Sequence, residues 1–154
     1  MNRQGIAELL KIQLAKKSFL EIKVGGISML PLICPDDTVV VNRSNEYNCG
    51  DVILFLYNDN HILIHRLLRI DGDNYICKGD NSFQLEIINY DKILGRVISI
   101  RKGTALINLP IISDKMINLS YDIHKEFLKH NMDINMTKKS LSYKTYQEYL
   151  LNML

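Results

Sequence analysis

The chain has 154 residues, of which 47% are hydrophobic and 23% charged. That composition describes one globular domain, long enough to bury a real core. A net charge of +2 leaves no electrostatic footprint for nucleic acid. The cysteines Cys34, Cys49 and Cys77 are odd in number, widely spaced and without a CxxC pair. This pattern argues against a disulfide framework or a zinc site and fits a reducing, cytoplasmic compartment.

Residues 1–18 predict an amphipathic helix. Ile6, Leu9, Leu10 and Leu14 are interrupted by Glu8, Lys11, Gln13, Lys16 and Lys17, so the segment is not the continuous apolar run of a signal peptide or a spanning helix. Its lysines are compatible with peripheral contact at a membrane surface. Segments 19–25, 38–42, 52–57, 61–70, 74–78 and 93–102 are rich in Val, Ile, Leu, Phe and Tyr and read as short strands. The turn signals CPDD, SNEYNCGD, NDN, DGDN and GDNS separate them, with NDN (58–60) and DGDN (71–74) as hairpin turns. The expected fold is mainly β: a compact β-rich core over 19–103, flanked by the N-terminal helix and a helical extension over 104–154. In that extension 114–130 and 137–154 carry helical spacing. Those helices either pack on the β core or offer a docking surface to a helper protein.

Three stretches carry candidate chemistry. In GISMLP (26–31) a serine sits in a tight bend, followed by apolar Met-Leu where an ordinary turn would carry Asn, Asp or Gly. In HILIHRLLRI (61–70), strand alternation puts His61, Leu63 and His65 on one face and Ile62, Ile64 and Arg66 on the other. His65 has apolar neighbours, whereas His61 lies beside a turn. A histidine in such a place is more often structural than catalytic. In YICKGDN (75–81), Asp80 either caps its own turn or orients an imidazole. A serine hydroxyl needs an adjacent base to act as a nucleophile, and Ser28, His65 and Asp80 together meet that requirement.

The words around these residues resemble the signal peptidase I superfamily, which includes the self-cleaving SOS repressors. GISMLP is similar to its G-x-S-M-x-P box, CGDVILF (49–55) to its GDVVxF strand, and IHRLLRIDGDNYICKGDN (64–81) to its base-bearing strand and GDN box. ILGRVISI (93–100) resembles its closing ILGKV strand. The boxes span roughly residues 22 to 102. The resemblance implies a compact β peptidase fold with Ser28 as nucleophile. Most bacterial members use a lysine base immediately before the arginine that is Arg66 here. His65 stands there instead, as in the endoplasmic-reticulum and archaeal type, which implies a Ser-His pair assisted by an acid. Asp80 is the first choice for that acid, with Glu86 and Asp91 as alternatives, because the DD pair common after GDN is replaced by Gln84-Leu85-Glu86.

The expected function is therefore a serine endopeptidase that needs no metal or organic cofactor. Met29 and Leu30 would line its cleft and Pro31 would fix the bend. With no spanning segment, the chain resembles anchorless members of the superfamily, which also carry an RKG element like IRKGT (100–104). Such members imply a peptide substrate, such as the leader of a modified precursor peptide. The alternative is a non-catalytic peptide-binding or regulatory module of the same fold.

Overall fold

Helix α1 spans Arg3–Lys17 in a computed structural model that describes residues 3–59 and 61–154. Met1 and Asn2 of the expected helix, and Asn60 of the expected NDN turn, lie outside the described residues. Ala7 and Leu14 turn inward, 1% and 2% exposed, while Ile6, Leu9 and Ile12 face outward. No described helix is long and apolar enough to cross a membrane.

The six predicted strands all form: β1 Phe19–Lys23, β2 Thr38–Asn42, β3 Val52–Tyr57, β4 His61–Asp71, β5 Asn74–Lys78 and, after one further strand, β7 Ile93–Lys102. Two were not anticipated, β6 Glu86–Asn89 and β8 Ala105–Asn108. Each has only four residues, too few for alternation to stand out from loop. All eight pair antiparallel in the order β1-β2-β7-β3-β4-β5-β6, with β8 beside β7. One edge of β7 meets β2; the other meets β3 through Ile93–Arg96 and then β8 through Ser99–Lys102. Gly95 is required at the crossing. A Cβ there would sit 2.6 Å from the Asn42 carbonyl oxygen and from Val41 Cγ1.

The β4–β5 hairpin turns through Gly72 and Asp73, with Asp71 opposite Asn74 and Gly72 at φ +59°. Asn58 and Asp59 also take positive φ before β4, the conformation for which Asn and Asp are suited. Alternation along β3 and β4 feeds two cores. Val52, Leu54, Leu56 and Leu68 join Met29, Leu32 and Ile33 in the larger one. Ile53, Phe55, Leu67 and Cys77 form the smaller one with Ile88.

After the sheet, α2 (Asp114–Lys129) begins at Ser113, whose hydroxyl accepts from Met116 N–H. The helix expected over 137–154 is two helices, α3 (Ile134–Lys138) and α4 (Leu141–Leu151). The break has a local cause. Asp133 and Ser140 each cap a new first turn, accepting from Met136 N–H and Tyr143 N–H, and Ser140 lies extended at φ −66°, ψ 150°. Helices α2 and α4 pack on the larger core through Ile117, Ile123, Phe127, Tyr146 and Leu150.

Candidate active site

Beyond β1 the chain continues extended as a strap. Val24 N–H donates to Asp37 O at 2.8 Å, and Asp36 N–H to Val24 O at 2.9 Å. It then bends at Ser28. The apolar residues after the serine explain the composition of this bend: Met29, Leu32 and Ile33 are 2%, 0% and 0% exposed. They plug the turn into the larger core from below and leave Ser28 half-buried at the surface.

The GDN box holds the bend from the side. Asn81 N–H donates to Ser28 O at 2.7 Å, and Asn81 Nδ2 to Ile27 O at 3.3 Å. Gly79 has to be glycine, because a Cβ would lie 2.7 Å from Ser28 O and 2.5 Å from Ser82 Oγ.

His65, in β4, puts Nε2 3.0 Å from Ser28 Oγ. Its other ring nitrogen, Nδ1, meets Glu86 Oε1 from β6 in a close contact. Both side chains are buried, and Phe55 stands edge-on to the imidazole at 6.1 Å. The pairing of β4 with β5 and of β5 with β6 brings them together: Cys77 lies opposite Leu67 on one side and Glu86 on the other. His61, by contrast, is exposed at the start of β4.

Asp80 does not reach the imidazole. Its carboxylate is fully buried and taken by three donors: Arg66 Nε and Nη2, each at 2.8 Å, and the Tyr146 hydroxyl at 2.6 Å. Arg66, on the opposite face of β4 from His65, also donates to Gly50 O at 2.8 Å. Burial by itself would raise the Asp80 pKa, but the guanidinium, its hydrogen bonds and the Tyr146 hydroxyl hold the carboxyl below its ordinary value. The same arrangement pushes the Tyr146 phenol up, through burial first and then the Asp80 charge. Of the three acids considered, the geometry brings Glu86 to His65 and assigns Asp80 to a buried ion pair. Asp91 lies exposed in the 3-10 turn Tyr90–Lys92, where its backbone oxygen accepts from Lys11.

Lys78 is a further buried charge that the motifs did not single out. Its ammonium donates to Gly79 O and Ser82 O, both at 2.9 Å, across the GDN turn. Burial lowers its pKa to about 8, against the upward pull of Asp80 and Glu86.

A groove of about 220 Å³ runs up to Ser28 and His65. Its walls are the end of β1 with the strap (Ile22, Val24, Gly25) and the first half of β4 (Ile62, Leu63, Ile64). Both walls offer unpaired strand edges: among the described residues β1 pairs only with β2, and β4 pairs with β5 only from Arg66 onward. Met29 lines this groove as expected, but Leu30 and Pro31 are not among its lining residues. They lie beyond the bend, where Leu30 O accepts from Gln147 Nε2 at 3.3 Å.

The family model described as peptidase S24-like matches residues 6–98, which include all of Ser28, His65, Asp80 and Glu86. The chain belongs to the peptidase S24-like family. Among curated proteins, none matches it. Membership agrees with the superfamily that the motif boxes resemble and with the eight-stranded antiparallel sheet.

Helices α2 to α4 of this S24-like chain lie outside the matched residues, yet α4 fastens the site. Tyr143 OH donates to Asn81 Oδ1 at 2.7 Å, and Gln147 Nε2 donates to Asp80 O at 3.0 Å. With Tyr146 on the Asp80 carboxylate, three successive contacts of α4 fall on the GDN box. In sequence, Tyr143 and Tyr146 belong to the helical spacing of 137–154, which reads as core packing or a docking surface rather than as support for the site. The signal within reach was that both carry a hydroxyl, and a buried tyrosine hydroxyl needs a partner.

Proposed function

We propose that this chain is a serine endopeptidase in which Ser28 is the nucleophile, His65 the general base and acid, and Glu86 the residue that orients His65. One observation carries the reading. Ser28 Oγ stands 3.0 Å from His65 Nε2 while Glu86 engages Nδ1, at one end of a groove with free strand edges.

With its proton on Nδ1, facing the Glu86 carboxylate, the imidazole presents a lone pair at Nε2 to the serine hydroxyl. As Oγ attacks the peptide carbonyl carbon, its proton passes to Nε2, and Glu86 stabilises the imidazolium that forms. Collapse of the tetrahedral intermediate breaks the C–N bond, and Nε2 gives that proton to the leaving amine. Water then enters by the same route in reverse and releases the acyl group from Ser28. Among the described residues, the backbone N–H of Ser28 has no acceptor, so it is available to the oxyanion. The substrate lies extended in the groove, bonded through its main chain to the strand edges, with its side chains against Ile22, Val24, Ile62 and Ile64. A precursor peptide that presents an extended apolar segment fits such a groove. The reaction as written uses a peptide free in solution and no cofactor.

The test is Ser28→Ala. Cleavage of a peptide library should fall to background while the melting temperature stays within a degree or two, since the residue is half-buried and, among the described residues, its hydroxyl bonds only to His65. Cleavage at the wild-type rate would end the reading.

A further inference from the structure

A second pocket, of about 410 Å³, adjoins the Ser28–His65–Glu86 array and shares no lining residue with the strand-edge groove. Two of its lining residues belong to the array or adjoin it. Ile27 immediately precedes Ser28 and is 62% exposed. Glu86 is the residue that contacts His65. The GDN turn and the residues after it add Asn81, Ser82 and Gln84 to the wall, and Phe83, Phe127, Ile134 and Lys138 complete it, the last three supplied by α2 and α3, beyond the residues the family model matches. Phe83 and Phe127 are buried and pack as a tilted pair, with ring centroids 5.7 Å apart, to form the floor, whereas Ile134 stands 47% exposed at the rim. Lys138 is also exposed and has no ion-pair partner among the described residues.

We infer that this pocket binds the substrate on the other side of the scissile bond: it takes a large apolar side chain from the residues that follow the bond, with an acidic neighbour met by Lys138. The inference rests on the endopeptidase reading and adds the substrate class. A chain extended through the strand-edge groove to Ser28 must leave the array past Ile27, and the surface there is apolar, concave and built by the C-terminal helices. An aromatic floor rewards a Leu, Ile, Met or Phe side chain, because burying such a group removes apolar surface from water. An unpaired ammonium at the rim attracts a carboxylate and repels a basic residue.

The experiment cleaves a proteome-derived peptide library with the full chain and reads every cut by mass spectrometry. Residues following the bond should show large apolar side chains enriched about tenfold over Gly, with Asp or Glu beside them. Ile134→Asp should collapse the apolar preference, and Lys138→Glu should turn the acidic preference into a basic one, a reversal that a merely structural lysine would not produce. Unchanged preferences in both variants, or selectivity confined to residues before the bond, would overturn the inference. If the library goes uncut, the endopeptidase reading fails, and the pocket is read separately by binding a fluorescein-labelled decapeptide that carries Leu-Asp. A tenfold loss of affinity in Ile134→Asp then supports the pocket, and equal affinity overturns it.

Discussion

At the scale of single residues, two carboxylates six positions apart meet different partners, Arg66 for Asp80 and His65 for Glu86. Asp80 neutralises a buried guanidinium, and removing one partner of such a pair costs about 3–5 kcal/mol, since it strands the other charge. Asp80→Asn should therefore lower the unfolding free energy by about that much in denaturant melts. Glu86→Gln should do little to stability but cut kcat by about a thousandfold or more, because an amide no longer holds the imidazole in the productive tautomer. If Asp80→Asn lost kcat at full stability and Glu86→Gln kept it, the two roles would be exchanged.

Lys78 gives a stability signature with a definite sign. Its folded pKa, about 8, lies below the ordinary 10.5, so between those values the unfolded chain holds a proton that the folded chain lacks. Stability from this group rises with pH across that window, by up to about 3 kcal/mol. Buried Cys77 and Tyr146, raised by burial, act in the opposite sense at alkaline pH. The measurement is thus the difference between wild type and Lys78→Met. That difference should move in favour of wild type from pH 8 to 10.5; a flat difference would mean that Lys78 stays charged when folded.

At the scale of elements, α4 acts as a clamp on the GDN box. Tyr143→Phe removes one hydrogen bond to Asn81, worth about 1 kcal/mol of stability. It should nevertheless reduce kcat by about five- to tenfold, because Asn81 carries the backbone of Ile27 and Ser28. Equal kcat in the variant would show that the bend is held by its buried side chains alone. How much of this was legible in sequence divides along the same lines. Alternation over five or more residues marks six strands, and the motif words point to Ser28 and His65, whose side chains the fold brings to 3.0 Å. Glu86 was ranked second because β6, a four-residue strand, went unread; once LEIIN is seen as alternating, Glu86 and Ile88 both point inward. Asp80 stands first among the acids because, although alternation puts Arg66 on the opposite face from His65, nothing local says that Asp80 lies on the Arg66 side. Such a pairing depends on which face of β4 each side chain takes and on a tyrosine 66 residues downstream.

At the scale of the whole molecule, sheet and helices share one core and one buried ion-pair network, since Arg66 in β4 and Tyr146 in α4 meet on Asp80. Thermal unfolding should accordingly be a single event, with far-ultraviolet ellipticity and tyrosine fluorescence giving coincident transitions. Helical signal lost well below the sheet signal would mean that the extension is a separate unit. The clamp also has a bearing on the order of synthesis. Leu30 and Gln147 bond across 117 residues of chain, so on a ribosome the serine bend emerges long before the helix that secures it. Under the peptidase reading, Ser28, His65 and Glu86 are all synthesised while the bend is still unfastened, and full activity waits until α4 has left the exit tunnel and docked.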